Sequence, residues 1–346
     1  MLTAVIAVLF SACEKEKETG PQPSTPSTPI SSFANGVFVV NEGGFNAGNA
    51  NISFYNNSTQ TITNNVFSSV NNNLPLGDIA QTMQKFGDKI FIVVNNSSKI
   101  EVVNLFDFKS VATISNMGSP RFIGFINSSK AYVTDLFNNK IHIINPSTYT
   151  KTGEIAINGW TEDICLVADT AYVTNWDEKK LYLINTKTDA IITSLNIAEG
   201  AAGMVKDKNN HLWISCSGNA WATPKVFGKI YKFNPYTRSF EKEIDGAAVQ
   251  QNPSKICLDK NNENIYYLSG NVYKMSVNAS SLPTQTFVAT STFTYYGLGV
   301  NPLNDEVFVG DAVDFSQNGK VYIYSSTGSE KVNFSVGVSP NGFLFN

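Results

Sequence analysis

Histidine is almost missing from this chain: 346 residues carry two, His142 and His211. Enzymes that use imidazole as base, metal ligand or triad partner would have little to draw on, and no Ser-His-Asp arrangement is visible. Charge is scarce too, at 15% of residues with a net of −3 and no basic cluster, which argues against nucleic acid or an anionic membrane surface as partner. Four cysteines without a CxxC pair give no zinc motif. Cys165 and Cys257 occupy the same ICL position two repeats apart, too far for a disulfide, so buried free thiols are expected. The longest apolar run, at residues 1–12, is too short to span a bilayer.

What the chain does have is aromatics (12%), many Asn, Ser and Thr, and a repeat. AYVTDLFNNKIHIIN (131–145) and AYVTNWDEKKLYLIN (171–185) match nearly position for position as strand, polar turn, strand. Looser copies put the start of the second strand at Ile52, Ile100, Ile141, Leu181, Ile230, Val272 and Val321, 40 to 49 residues apart. That period predicts an all-β fold, a seven-bladed β-propeller of four-stranded blades over residues 33–346. Inner strands begin only near Ile79, after three strands have passed, and GFLFN (342–346) reads as the missing one. The C-terminal strand is therefore predicted to join the N-terminal blade and close the ring, removing both sheet edges. Alternating apolar and polar residues along the strands fit blades packed face to face.

MLTAVIAVLFSA (1–12) followed by Cys13 resembles a bacterial lipoprotein signal, with Cys13 the lipidated residue. Residues 13–32, first acidic and basic by turns and then rich in Pro, Ser and Thr, form a tether that buries no apolar surface. An acidic stretch after the lipidated Cys resembles the signal by which Bacteroidetes export lipoproteins to the cell exterior. The expected address is the outer membrane facing outward, with the membrane touched only through the lipid.

Antiparallel order puts the loops between second and third strands on the same face as the connections between blades. Three of those loops are long: Glu42–Asn51, Ser217–Gly228 and Ala312–Gly319. The mouth is expected to gather Glu42, Phe45, Asn46, Arg121, Asp135, Trp160, Glu162, Asn175, Trp176, Trp221, Gln251, Tyr295, Tyr296, Asp311 and Phe315. Aromatics with amides and few charges suit a large flat ligand bearing amides or hydroxyls. The competing reading, in which these loops pack on each other as a lid, stays open, and Trp213, inside a strand, is assigned to the core. No metal site, catalytic residue or cofactor is expected. No Asp-box, Trp-Asp or kelch Gly-Gly signature recurs.

VFVVNEGGFNAGNANISFYN (37–56), with the AYVTNW and LYLIN units, resembles the YVTN-type seven-bladed propellers, and more narrowly the Bacteroidetes surface lipoproteins of the BtuG kind. That resemblance implies capture of cobalamin or another corrinoid by binding alone and transfer to an outer-membrane TonB-dependent transporter of the BtuB type. Two alternatives remain from the residues themselves. One is a glycan- or peptide-binding or protein-interaction propeller using the same mouth. The other is a carboxylate-dependent carbohydrate-active enzyme drawing on Glu42, Asp135, Asp177, Asp311 and Asp314.

Overall fold

Strand Lys180–Asn185, KLYLIN, is buried at all four central positions, polar-side residues included. The same holds for Asn51–Asn56, Lys99–Asn104 and Lys140–Asn145. Clean alternation is confined to outer strands such as Thr150–Ala156. The reason is stacking: a middle strand has a neighbouring blade against each face, so both sets of side chains lie in a core, whereas an outer strand meets solvent on its flank. Apolar clusters accordingly form between blades, as where Tyr172, Leu181 and Leu183 of one blade meet Met204, Ile214 and Phe233 of the next.

The computed structural model describes residues 33–290 and 293–346. Seven sheets form the ring of a seven-bladed β-propeller. Blade one has the order Pro340–Phe345, Gly36–Asn41, Asn51–Asn56, Thr61–Thr63, so the last strand pairs with the first, from Val37 opposite Phe345 to Asn41 opposite Pro340 with one shift of register between Val40 and Asn41. Reciprocal bonds between Gly36 and Asn346 (3.1 and 2.9 Å) finish the closure. Ring closure by the C-terminal strand is therefore as expected.

Blade six departs from four strands. It holds Ile256–Leu258, Asn264–Ser269 and Asn271–Ser276, and its outer position is reduced to one bridge between Val272 and Val288. The segment that follows, SLPTQTF (281–287), contains a proline that cannot donate to a ladder. A short helix, Val66–Val70, lies between blades one and two, with Val66 and Phe67 packed into the apolar cluster beneath. The signal, Cys13 and the tether lie outside the described residues.

Candidate functional site

In six blades the residue just after the second strand donates its backbone N–H to a carbonyl just before the inner strand. The pairs are Glu42 to Ser339, Asn95 to Ile79, Leu136 to Ser119, Trp176 to Trp160, Ser217 to Gly200 and Ala312 to Thr294, at 2.7–3.0 Å. These bonds tie the two kinds of loop together on one face, the mouth. Immediately beyond them the inner strand slips register against its neighbour: between Pro340 and Gly342, Ala80 and Thr82, Pro120 and Ile123, Thr161 and Ile164, Ala201 and Gly203, and Tyr295 and Gly297. Such bulges re-aim side chains. The residues passed over include Asn341, Gln81, Arg121, Glu162 and Tyr296.

Their contacts run around and across the axis of the ring. Arg121 of blade three donates Nε and Nη2 to Glu162 of blade four, both at 2.7 Å, and Nη1 to Gln81 of blade two. Asn341 of blade one donates to the Gln81 carbonyl at 3.0 Å. Tyr296 of blade seven donates its hydroxyl to Glu42 of blade one at 2.8 Å. Lys255 of blade six reaches past blade seven to the Asn341 side-chain oxygen, with its Nζ 5.8 Å from the Tyr296 ring centre. A contact that skips a blade must pass near the axis, so these groups form a polar collar in the central channel.

Burial sets the electrostatics of the collar. Desolvation pushes the Glu42 carboxyl above its usual range, against the pull of Lys255 and the Tyr296 hydrogen bond. Asp163, next to Glu162, is pushed up to about 7 by burial, despite accepting from the Met204 and Ile164 amides. Lys255 is held below the ordinary lysine range, again chiefly by burial, with Glu42 and Glu162 opposing. Tyr296 is pushed up by burial and by Glu42.

Above the collar lies an aromatic shelf. Trp160 and Trp176 stack at 4.8 Å and 14°, the Trp160 Nε1–H donates to Glu162 at 2.5 Å, and the Arg121 guanidinium sits 5.4 Å from the Trp160 ring centre. Phe315 meets Tyr296 edge-on at 5.1 Å. Out on the loops Phe45 is 72% exposed and Trp221 95%, and Asn46, also exposed, accepts from Asn96 at 3.0 Å.

Five expected mouth residues belong to the scaffold instead. Asp135 is fully buried and accepts from the Ser119, Phe137 and Asn138 amides and is paired with His142 at 3.0 Å. Although burial acts to raise it, those hydrogen bonds hold its carboxyl below the usual range. Asn175, equally buried, accepts from the Glu178 amide and donates to the Asn158 carbonyl. Asp311 accepts from the Thr294 and Val313 amides. Gln251 bridges the Tyr267 hydroxyl and the Pro283 carbonyl. Tyr295 bonds Tyr324 at 2.8 Å within an inter-blade cluster. In each case a polar group at a strand end or in a connection closes a turn or a seam.

The match to known families covers nearly the whole ring. The chain belongs to the DUF5074 family, a domain of unknown function, whose model matches residues 35–345. No curated protein matches the chain. Among solved structures it is similar to a quinonprotein alcohol dehydrogenase-like protein from Bacteroides thetaiotaomicron, with TM-score 0.73, 17% identity, 90% of this chain and 78% of the other covered. It is also similar to a putative 6-phosphogluconolactonase from Bacteroides fragilis (TM-score 0.65, 11% identity, 91% and 99% covered). A third is virginiamycin B lyase from Staphylococcus aureus (TM-score 0.61, 12% identity, 76% and 87% covered). At these identities the likeness is one of fold.

In this DUF5074 domain, sequence reasoning passed over Gln81, Asp163, Lys255, Asn341 and Phe137, the last 74% exposed on the loop of blade three beside Asp135. A signal for part of the collar was present. Ser-Pro-Arg (119–121), Asn-Pro-Ser-Lys (252–255) and Ser-Pro-Asn (339–341) place a proline at or shortly before the start of an inner strand, with the collar residue one or two positions on, in three different blades.

Proposed function

We propose that this propeller is a binding protein whose mouth takes a large, flat ligand bearing amides or hydroxyls, and that a corrinoid such as cobalamin is that ligand. The observation that carries the reading is the stacked Trp160–Trp176 shelf, fixed from below by Glu162 and Arg121. Its neighbours around the mouth are the exposed rings of Phe45, Trp221 and Phe315. Planar rings on a rigid base offer area at little cost in conformational entropy, and the amide-rich loops offer hydrogen bonds to a ligand's periphery. The resemblance of residues 37–56 to the BtuG kind supplies the corrinoid and, with it, transfer to an outer-membrane TonB-dependent transporter.

Purified protein mixed with cyanocobalamin and desalted is expected to emerge pink; colourless protein overturns the corrinoid reading. The lipoprotein signal and tether add an address to the proposal, a lipidated Cys13 holding the propeller on the outer surface. Protease added to intact cells should then remove the protein, and Cys13→Ala should release it from the membrane. Protection until the outer membrane is breached would place it in the periplasm.

A sugar is the second reading, because a tryptophan plate with a carboxylate at its edge also suits the apolar face and hydroxyl rim of a pyranose. Glycan-array binding that is lost in Trp176→Ala, together with colourless desalted protein, would favour it.

A further inference from the structure

The two cations of the collar differ in their partners. Arg121 is ion-paired and held by three bonds, two to Glu162 and a third to Gln81. Lys255 has three donor positions, of which one reaches Asn341, and a tyrosine face beside it. Among the described residues no carboxylate lies within ion-pair distance of its Nζ. An ammonium taken from water without an opposite charge in contact is costly, and a fold keeps one only where something else repays the desolvation. Lys255 is half-buried, and its remaining N–H donors have no hydrogen-bond partner among the described residues.

We propose that this channel is an oxyanion subsite, in which Lys255 donates to a phosphate or carboxylate group carried by the ligand while the Asn341 amide holds the ammonium in place. The nearby carboxylates do not forbid it. Glu162 is neutralised by Arg121, and Glu42 turns one oxygen to the Tyr296 hydroxyl. Both Glu42 and Asp163 take up protons more readily than free carboxylic acids, which lowers the negative charge that an incoming anion meets. The bulges of the inner strands release Asn341, Glu162 and Tyr296 from the regular ladder, which lets side chains of different blades meet here. The subsite deepens the binding reading above and rests on it for the face from which the ligand enters.

The test is calorimetric titration of the full chain with inorganic phosphate and, separately, acetate, at pH 6.5 and an ionic strength held constant with sodium chloride. Saturable binding of at least one anion is expected, weakened at least about tenfold in Lys255→Gln. Asn341→Asp, which sets a carboxylate against the ammonium from within, should weaken it equally; it also gives up the amide bond to the Gln81 carbonyl, so a cooperative melt is the check that the variant folds. This second variant guards against a misfolded Lys255→Gln. Preference for phosphate would indicate a phosphorylated ligand, and preference for acetate a carboxylic one. No saturable binding of either, or binding that ignores both substitutions, overturns the subsite. Colourless protein that binds an anion through Lys255 would sink the corrinoid and keep the subsite, whereas pink protein indifferent to Lys255→Gln would do the reverse.

Discussion

Four tryptophans occupy three different physical situations. Trp213 is fully buried, with its Nε1–H on Asp207 at 3.1 Å and the Lys232 and Lys242 ammonium groups near its faces. Trp160 and Trp176 lean on each other, and Trp221 stands 95% exposed. Trp213→Ala should therefore leave a large cavity and cost about 3–5 kcal/mol, seen as a lower melting temperature. Trp221→Ala should leave melting unchanged and weaken cyanocobalamin binding about tenfold or more, if the mouth is where the ligand sits. The opposite pattern would move the site to the other face. The core assignment of Trp213 was readable because a strand interior has a single kind of surrounding. The partnership of Trp160 with Trp176 was not, since it depends on two loops of one blade meeting. Nor could the sequence separate Asp135, Asn175 and Asp311, which accept from turn amides, from residues that face the mouth. Asp and Asn are favoured for both duties.

At the scale of elements, strand order and closure followed from periodicity, because a repeat of strand, turn and strand has few other ways to bury its faces. Bulges did not. They are a mismatch of two residues against one, fixed by hydrogen-bond register between strands and invisible in a hydrophobic pattern. Blade six lost its outer strand for a reason that was present as Pro283, although a proline alone does not say how far the loss extends. Closure gives a paired test. A Cβ on Gly310 would lie 2.2 Å from the Pro340 carbonyl oxygen, on the strand that closes the ring, whereas one on Gly342 of that same strand would meet nothing within 4 Å. Gly310→Ala should destabilise by about 1–3 kcal/mol, since backbone cannot swing aside as a side chain can, and Gly342→Ala should be near neutral in thermal melts. Equal effects would mean that the closing strand is not held as tightly as its packing indicates.

At the scale of the whole molecule, closing the ring concentrates ionisable groups from several blades at its axis, and this shapes how stability responds to pH. Asp163 titrates near 3.8 in the unfolded chain and at about 7 in the fold, where burial disfavours its charge and Glu162 adds repulsion. Between those values the native state binds more protons than the unfolded state. The linkage slope is then negative, so this group lowers stability as pH rises from about 4 to about 7 and contributes no further change above that. Glu42, raised by the same desolvation, acts in the same direction. Carboxyls held low by hydrogen bonds, among them Glu154 and Glu241 at about 2, stabilise the fold at neutral pH and lose that effect only as pH falls below their ordinary values of about 4 to 4.5. The two sets therefore work in different windows. Melting temperature measured from pH 5 to 7.5 should fall with pH in the parent and fall less steeply in Asp163→Asn, which cannot ionise. The slope is the decisive reading, because Asn offers one acceptor where Asp163 serves both the Met204 and Ile164 amides, and the loss of one bond shifts the whole curve without tilting it. Parallel curves for the two proteins would mean that Asp163 is ionised throughout, and the collar would then carry more negative charge than its burial implies.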